Sequence, residues 1–144
     1  MIILDTNVIS EVMRVSPDPA VLAWLRVQPV VELATTTITL AEIRYGLARL
    51  RFGRRRRDLE TRFNSFVSRG LSDRVLDFDA AAAEAYGDLV VARERLGRPL
   101  EGFDGLIAAI AKSRGLGIAT RDTQDFANCD VPVVSPWQMP PVVA

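Results

Sequence analysis

Asp5, Glu42, Asp104 and Asp122 are the residues whose surroundings point to chemistry. Asp5 closes the apolar run Met1-Ile2-Ile3-Leu4 and is followed by Thr6 and Asn7; Asp122 follows the apolar stretch from Leu116 to Thr120. Glu42 and Asp104 instead open apolar helical patterns, Ile43-Leu47-Leu50 and Leu106 to Ala111. The chain contains no histidine, which excludes Ser-His, Cys-His and His-metal sites together. Any chemistry must come from carboxylates, hydroxyls and arginines. Two carboxylates roughly 5 Å apart repel by about 3 kcal/mol at an effective dielectric near 20. With no histidine or lysine nearby in sequence, a bound cation is the natural remedy, and oxygen-only ligands select Mg²⁺ or Mn²⁺ over zinc.

Each acid also has a plainer explanation. Asp5 is in position to form a turn or cap a helix. Glu42 stands three residues after Thr39, the spacing of a capping box, and Asp104 suits the N-terminus of an apolar helix. Whether the acids do chemistry therefore depends on the elements that carry them.

The run before Asp5 reads as a strand covered on both faces. Helical spacing follows from Thr6 to Arg14, then a second helix with Asp18 as N-cap, Pro19 at its first position and Ala20, Val21, Trp24 and Leu25 as its buried stripe. Val30 to Thr35 predicts a second strand leading into a helix that contains Glu42. The next helix is expected from about Asp58 to Ser68, after a basic turn holding Arg49, Arg51 and Arg54 to Arg57, which is either solvated or in contact with phosphate or an acidic partner. Arg74 to Phe78 predicts a short strand, and Asp79 caps a helix from Ala80 to Leu96 whose alanines, Ala80 to Ala83 and Ala85, invite close packing. An all-apolar helix starts near Asp104 and stops at Gly115; strands at Leu116–Thr120 and Val131–Val134 flank a polar turn at Thr123 to Phe126. The tail from Pro136 is expected over the surface.

Strands alternating with helices predict an α/β fold, with helices flanking a central, mostly parallel sheet of four to five strands. Asp5 and Asp122 follow strand ends while Glu42 and Asp104 begin helices, so all four should meet at the carboxyl edge of that sheet, where such folds bind ligands. At 144 residues, 49% hydrophobic, the chain fits a single domain over 1–144. It carries 18 basic and 18 acidic residues, and Lys112 is the sole lysine. No apolar stretch is long enough to span a bilayer, and the single cysteine, Cys129, agrees with a reducing compartment; a cytoplasmic protein is expected.

Four segments taken together carry a resemblance: Ile3-Leu4-Asp5-Thr6-Asn7-Val8; Thr39-Leu40-Ala41-Glu42-Ile43-Arg44-Tyr45-Gly46; Asp104-Gly105-Leu106-Ile107-Ala108-Ala109; and Ala119-Thr120-Arg121-Asp122 with Asp125-Phe126. In that order and over nearly the whole chain, the sequence resembles the PIN-domain ribonucleases, in particular the VapC-like and FitB-like toxins of bacterial toxin-antitoxin pairs. The resemblance implies a PIN-like fold in which Asp5, Glu42, Asp104 and Asp122 hold one or two Mg²⁺ or Mn²⁺ ions. Thr6, Asn7 and Thr120 would orient those groups or a water, and Asp125 would either share the metal role or fix its loop. It further implies hydrolysis of RNA to 5′-phosphate and 3′-hydroxyl ends, homodimerisation through helices, and neutralisation by a small VapB-like, DNA-binding antitoxin from the same operon, in assemblies of one or more dimers.

Two other readings remain open at this stage. A phosphatase with a strand-end Asp nucleophile would carry a second acid two positions on, where this chain has Asn7. A binding module would use the same acids to hold a structural metal or to cap helices.

Overall fold

The computed structural model of the chain describes residues 1–138. Five strands, β1 (Ile2–Leu4), β2 (Leu33–Thr36), β3 (Val75–Leu76), β4 (Gly117–Ala119) and β5 (Val133–Val134), form one sheet in the order β3-β2-β1-β4-β5. Every neighbouring pair is parallel, with Ile3 opposite both Ala34 and Ile118. Six α-helices connect or cover them: α1 (Thr6–Val12), α2 (Pro19–Val27), α3 (Thr37–Ala48), α4 (Arg54–Phe66), α5 (Ala80–Arg95) and α6 (Asp104–Arg114). The chain leaves β1 toward β2 on one side and returns to β4 on the other. The crevice of such a sheet therefore opens beyond the carboxyl ends of β1 and β4.

Alternation along the strands divides the core into two layers. Ile3, Ala34 and Ile118 point to α5 and α6, meeting Ala82, Leu89 and the fully buried run Ile107 to Ala111. Leu4, Leu33 and Ala119 point the other way, to Val8 and Ile9 of α1, Val21 and Trp24 of α2, Ile43 and Leu47 of α3, and Phe63 of α4. The apolar character of α6 is thus explained by burial. Gly115 ends that helix with φ of 66°, a left-handed conformation in which a Cβ would be strained.

Several sequence expectations change. Val30–Glu32 is a 3₁₀ turn started by Pro29, so the second strand begins at Leu33, and Val30 and Val31 are exposed. The α4 helix begins at Arg54 and not near Asp58, which places the arginines 54–57 in its first turn; a π-helical turn, Val67–Leu71, extends its far end. Ala20 is exposed on α2, and of the α5 alanines only Ala82 is fully buried, because the face toward α6 is narrower than the alanine run. Strands β3, β4 and β5 are each shorter than their apolar stretches. Pro136 is buried, and the tail beyond Gln138 lies outside the described residues. Among the described residues no helix is long and apolar enough to cross a membrane.

Candidate active site

Asp5 lies one residue beyond β1, and its amide continues the ladder to the Ala119 carbonyl at 3.0 Å. It occupies the position of an N-cap for α1, yet its side chain makes no capping bond. Instead Asp5 Oδ2 accepts a hydrogen bond from the Thr120 hydroxyl at 2.8 Å, beyond the end of β4. That hydroxyl is fully buried; it also accepts from Asn7 Nδ2 at 3.2 Å and from the Asp122 amide at 3.1 Å. Asn7 completes the tie by donating to Asp122 Oδ2 at 3.2 Å and accepting from the Arg121 amide at 3.1 Å. The ends of β1 and β4 are thereby pinned together by side chains, at the crevice the topology leaves open.

Glu42 departs from the sequence expectation in an informative way. The N-cap of α3 is Thr36, whose hydroxyl accepts from the Thr39 amide at 3.0 Å, so Thr39 and Glu42 do not form a capping box. Glu42 lies in the second turn, where no cap role is available. Its Oε1 accepts from the Thr6 hydroxyl at 3.0 Å, which turns the carboxylate toward Asp5.

Asp104 is the first residue of α6, behind Phe103 at the cap position, and no side-chain cap bond forms there. Gly105 lets this end of α6 approach α5: a Cβ at residue 105 would stand 3.1 Å from the Tyr86 ring. Asp122 likewise makes no cap bond to the 3₁₀ turn Thr123–Phe126 that follows it. Within that turn, Asp125 shares a cavity of about 120 Å³ with Asp104, Glu101, Pro99 and Arg93. The capping explanation, open for each acid in the sequence, describes none of these four side chains.

Electrostatics shows that the acids sense one another. Burial, joined by repulsion from Asp5, Asp125, Glu42 and Asp122, pushes the Asp104 carboxyl up to about 7. Asp5 is 6% exposed; its pKa is raised by burial and by Asp122 and Asp125, against the lowering effect of the Thr120 hydrogen bond. Glu42 is raised by burial and, in smaller part, by Asp5, with the Thr6 hydrogen bond opposing. Among the described residues the ion pairs serve Glu11, Glu32, Glu60, Asp73 and Asp79, and none reaches these acids. The cluster is an all-oxygen donor set with no ion pair to a basic side chain among the described residues, the composition that suits a hard divalent cation. Among the described residues no three acid or thiol groups are drawn to metal-ligating spacing, so the carboxylates ring the crevice without closing on a point.

Two positioning residues escaped the sequence reading. Glu11, only 3% exposed, is held by Arg14 and Arg121, each at 3.1 Å, and Arg121 also stacks on Trp137 with its Cζ 4.3 Å from the ring centre. This anchors the residue between Thr120 and Asp122. Arg93, 4% exposed, donates from Nη1 to the carbonyls of Asp125 and Ala127, both at 2.8 Å, and from Nε to the Arg98 carbonyl at 2.6 Å. It fastens the Asp125 turn to the loop that leads to Asp104. The available signal was period: Arg93 falls on the stripe Ala82-Tyr86-Leu89, and Glu11 three residues after Val8, so both are charged residues on buried faces.

Comparison with known proteins gives a consistent picture. The family model described as PIN domain matches residues 2–131. The VapC ribonuclease Y4jK of Sinorhizobium fredii is 42% identical over 138 residues, spanning 96% of this chain and 99% of that protein. Toxin FitB of Neisseria gonorrhoeae is 39% identical over 137 residues, spanning 95% of this chain and 99% of its own length. Among solved structures, FitAB bound to a DNA fragment superposes with a TM-score of 0.90 at 37% identity, covering 97% of this chain and 98% of that one.

Proposed function

The chain belongs to the PIN-domain family, and from that premise we propose that it is an Mg²⁺- or Mn²⁺-dependent endoribonuclease, the toxin of a toxin-antitoxin pair, held inactive by a cognate antitoxin. The observation that carries the reading is the gathering of carboxylates at the carboxyl edge of the sheet, where burial and mutual repulsion raise the pKa values of Asp5, Glu42 and Asp104 and, among the described residues, no ion pair reaches the acids. Asp5, Glu42, Asp104 and Asp122 are the residues that would hold the ion. A bound divalent ion would neutralise the cluster, act as a Lewis acid toward a phosphodiester oxygen and make water a better nucleophile at neutral pH.

The chain's own residues supply orientation. Thr120 fixes the Asp5 carboxylate, Thr6 fixes Glu42, and Asn7 fixes Asp122, so each anion is aimed before substrate arrives. Asp125 we assign to loop placement and to the field at Asp104, since its backbone is clamped by Arg93 and its carboxylate faces the shared cavity. Asn7 is committed to Thr120, Arg121 and Asp122, which gives no support to a phosphatase with a second acid at that position. The family resemblance implies products with 5′-phosphate and 3′-hydroxyl ends.

FitB is solved as a complex with a partner protein on DNA. By analogy we propose a small DNA-binding antitoxin encoded beside this chain, a homodimer of the toxin, and a larger assembly joined through the antitoxin. Residues 1–144 are taken as a single PIN domain acting in the cytoplasm. The decisive test is RNA cleavage by protein shown free of other nucleases: activity should require Mg²⁺ or Mn²⁺, stop with EDTA and return when the ion is restored. Undiminished cleavage in excess chelator would overturn the metal mechanism.

A further inference from the structure

We propose that an arginine-lined cleft beside the acids binds the single-stranded RNA backbone flanking the cleaved bond, an inference that rests on the nuclease reading above. Arg14, Arg54, Arg55 and Arg62 surround a cleft of about 530 Å³ in which Asp58 is the one carboxylate. A second hollow of about 410 Å³ shares Arg14, Arg55 and Leu59 with it, passes over Met13 and Leu47, and reaches Thr6 and Glu42. One groove therefore joins guanidinium groups to the hydroxyl and carboxylate pair at the site.

Half of the arginines in this groove are not used by the fold. Arg14 is taken by Glu11 and Arg62 donates to the Met13 carbonyl, but Arg54 and Arg55 have neither an ion pair nor a side-chain hydrogen bond among the described residues. Helix stability does not account for them either, because basic residues in the first turn of α4 oppose the helix dipole. Guanidinium forks donate bidentately to phosphate oxygens, and a polyanion whose reacting phosphate must enter an acidic crevice needs purchase on positive charge nearby. The stretch between the two charged ends is apolar, suited to base faces without reading their edges. Phe52, 90% exposed two residues before Arg54, adds an aromatic surface, with Arg56 packed 4.3 Å from its ring centre. A purely acidic protein segment would satisfy the same arginines but be repelled by Glu42 at the other end, whereas the substrate strand must reach both ends for its phosphodiester to be cut.

The test uses the full chain carrying Asp104→Asn, so that RNA stays intact, and fluorescence anisotropy of a fluorescein-labelled single-stranded oligoribonucleotide of mixed sequence. Adding Arg54→Ala and Arg55→Ala should weaken binding about tenfold and lower the slope of log affinity against log salt by about 1. Removing equal charge elsewhere, through Arg26→Ala and Arg69→Ala, should leave both near the parent. With Asp104 restored, the cleft substitutions should raise KM for RNA and spare kcat and the Mn²⁺-dependent melting shift. Arg54→Gln with Arg55→Gln replaces the alanine pair if melting shows a folding defect. If the parent cuts RNA but the cleft variants change neither affinity, salt slope nor KM, the subsite is wrong and the nuclease reading stands. Loss of binding to poly-glutamate with RNA binding intact would instead make the cleft a protein-docking surface. A parent that neither binds nor cuts RNA would overturn both.

Discussion

At the scale of single residues, Asp104 is the most informative position. Asn keeps its size and removes its charge, and no cap bond is lost because none exists. Asp104→Asn should therefore leave the melting temperature of chelator-treated protein unchanged or higher, shrink its stabilisation by Mn²⁺, and reduce RNA cleavage by orders of magnitude. Thermal melts with and without Mn²⁺ beside a cleavage assay decide the matter, and full activity would remove Asp104 from the site. The pH dependence follows from the same charge. A carboxyl whose folded pKa lies above its unfolded one contributes stability present below the unfolded value and lost as pH rises through the folded value. With Asp104 at about 7 against an ordinary 3.8, and Asp5 and Glu42 also raised, the metal-free protein should melt at progressively lower temperature as pH climbs from about 4 to about 7. Asp104→Asn should flatten that slope, and a metal-free melting temperature that rises over the window would contradict the repulsion. The identities of these acids were legible in the sequence because each interrupts an apolar pattern. Their hydrogen-bond partners were not, since Thr120 meets Asp5 across 115 residues of chain.

Elements were read well where local chemistry decided them. Asp18-Pro19 starts α2 and Asp79 caps α5 through hydrogen bonds at 2.8 and 3.0 Å, as their residue types suggest. Where two local signals competed, the sheet arbitrated. Both Thr36 and Thr39 could cap α3, and strand β2, carrying Thr35 and Thr36 into register with β3, selects Thr36. Thr36→Ala should cost about 1 kcal/mol of stability, while Thr36→Ser keeps most of it. Urea melts of the two variants check this, and equal stability would return the cap to Thr39. The Val30-Val31 pair failed as strand because β-branching marks strands only when something covers them, and both side chains are exposed. For Arg93 the period marked a buried position but not its partners, since two of the three carbonyls that satisfy it, those of Asp125 and Ala127, come from more than thirty residues away.

For the whole molecule, the parallel sheet and its two-layer core follow from the alternating pattern, whereas the antitoxin partner was legible only through the family resemblance. If the proposed role is right, a small DNA-binding protein encoded next to this one should co-purify with it and suppress its cleavage of RNA. Co-expression of the neighbouring frames followed by affinity purification tests this, and failure of any to bind would remove the toxin-antitoxin role while leaving the nuclease. The sheet order carries a consequence in time. Strand β1, made first, lies in the centre, and its second neighbour, β4, is made more than a hundred residues later. A ribosome that has exposed the chain only as far as α6 has delivered Asp5, Glu42 and Asp104 but neither Thr120 nor Asp122, so the crevice has one wall. On the proposed reading, RNA cleavage must then await the synthesis of β4 and Asp122, although three of the four acids have already been made.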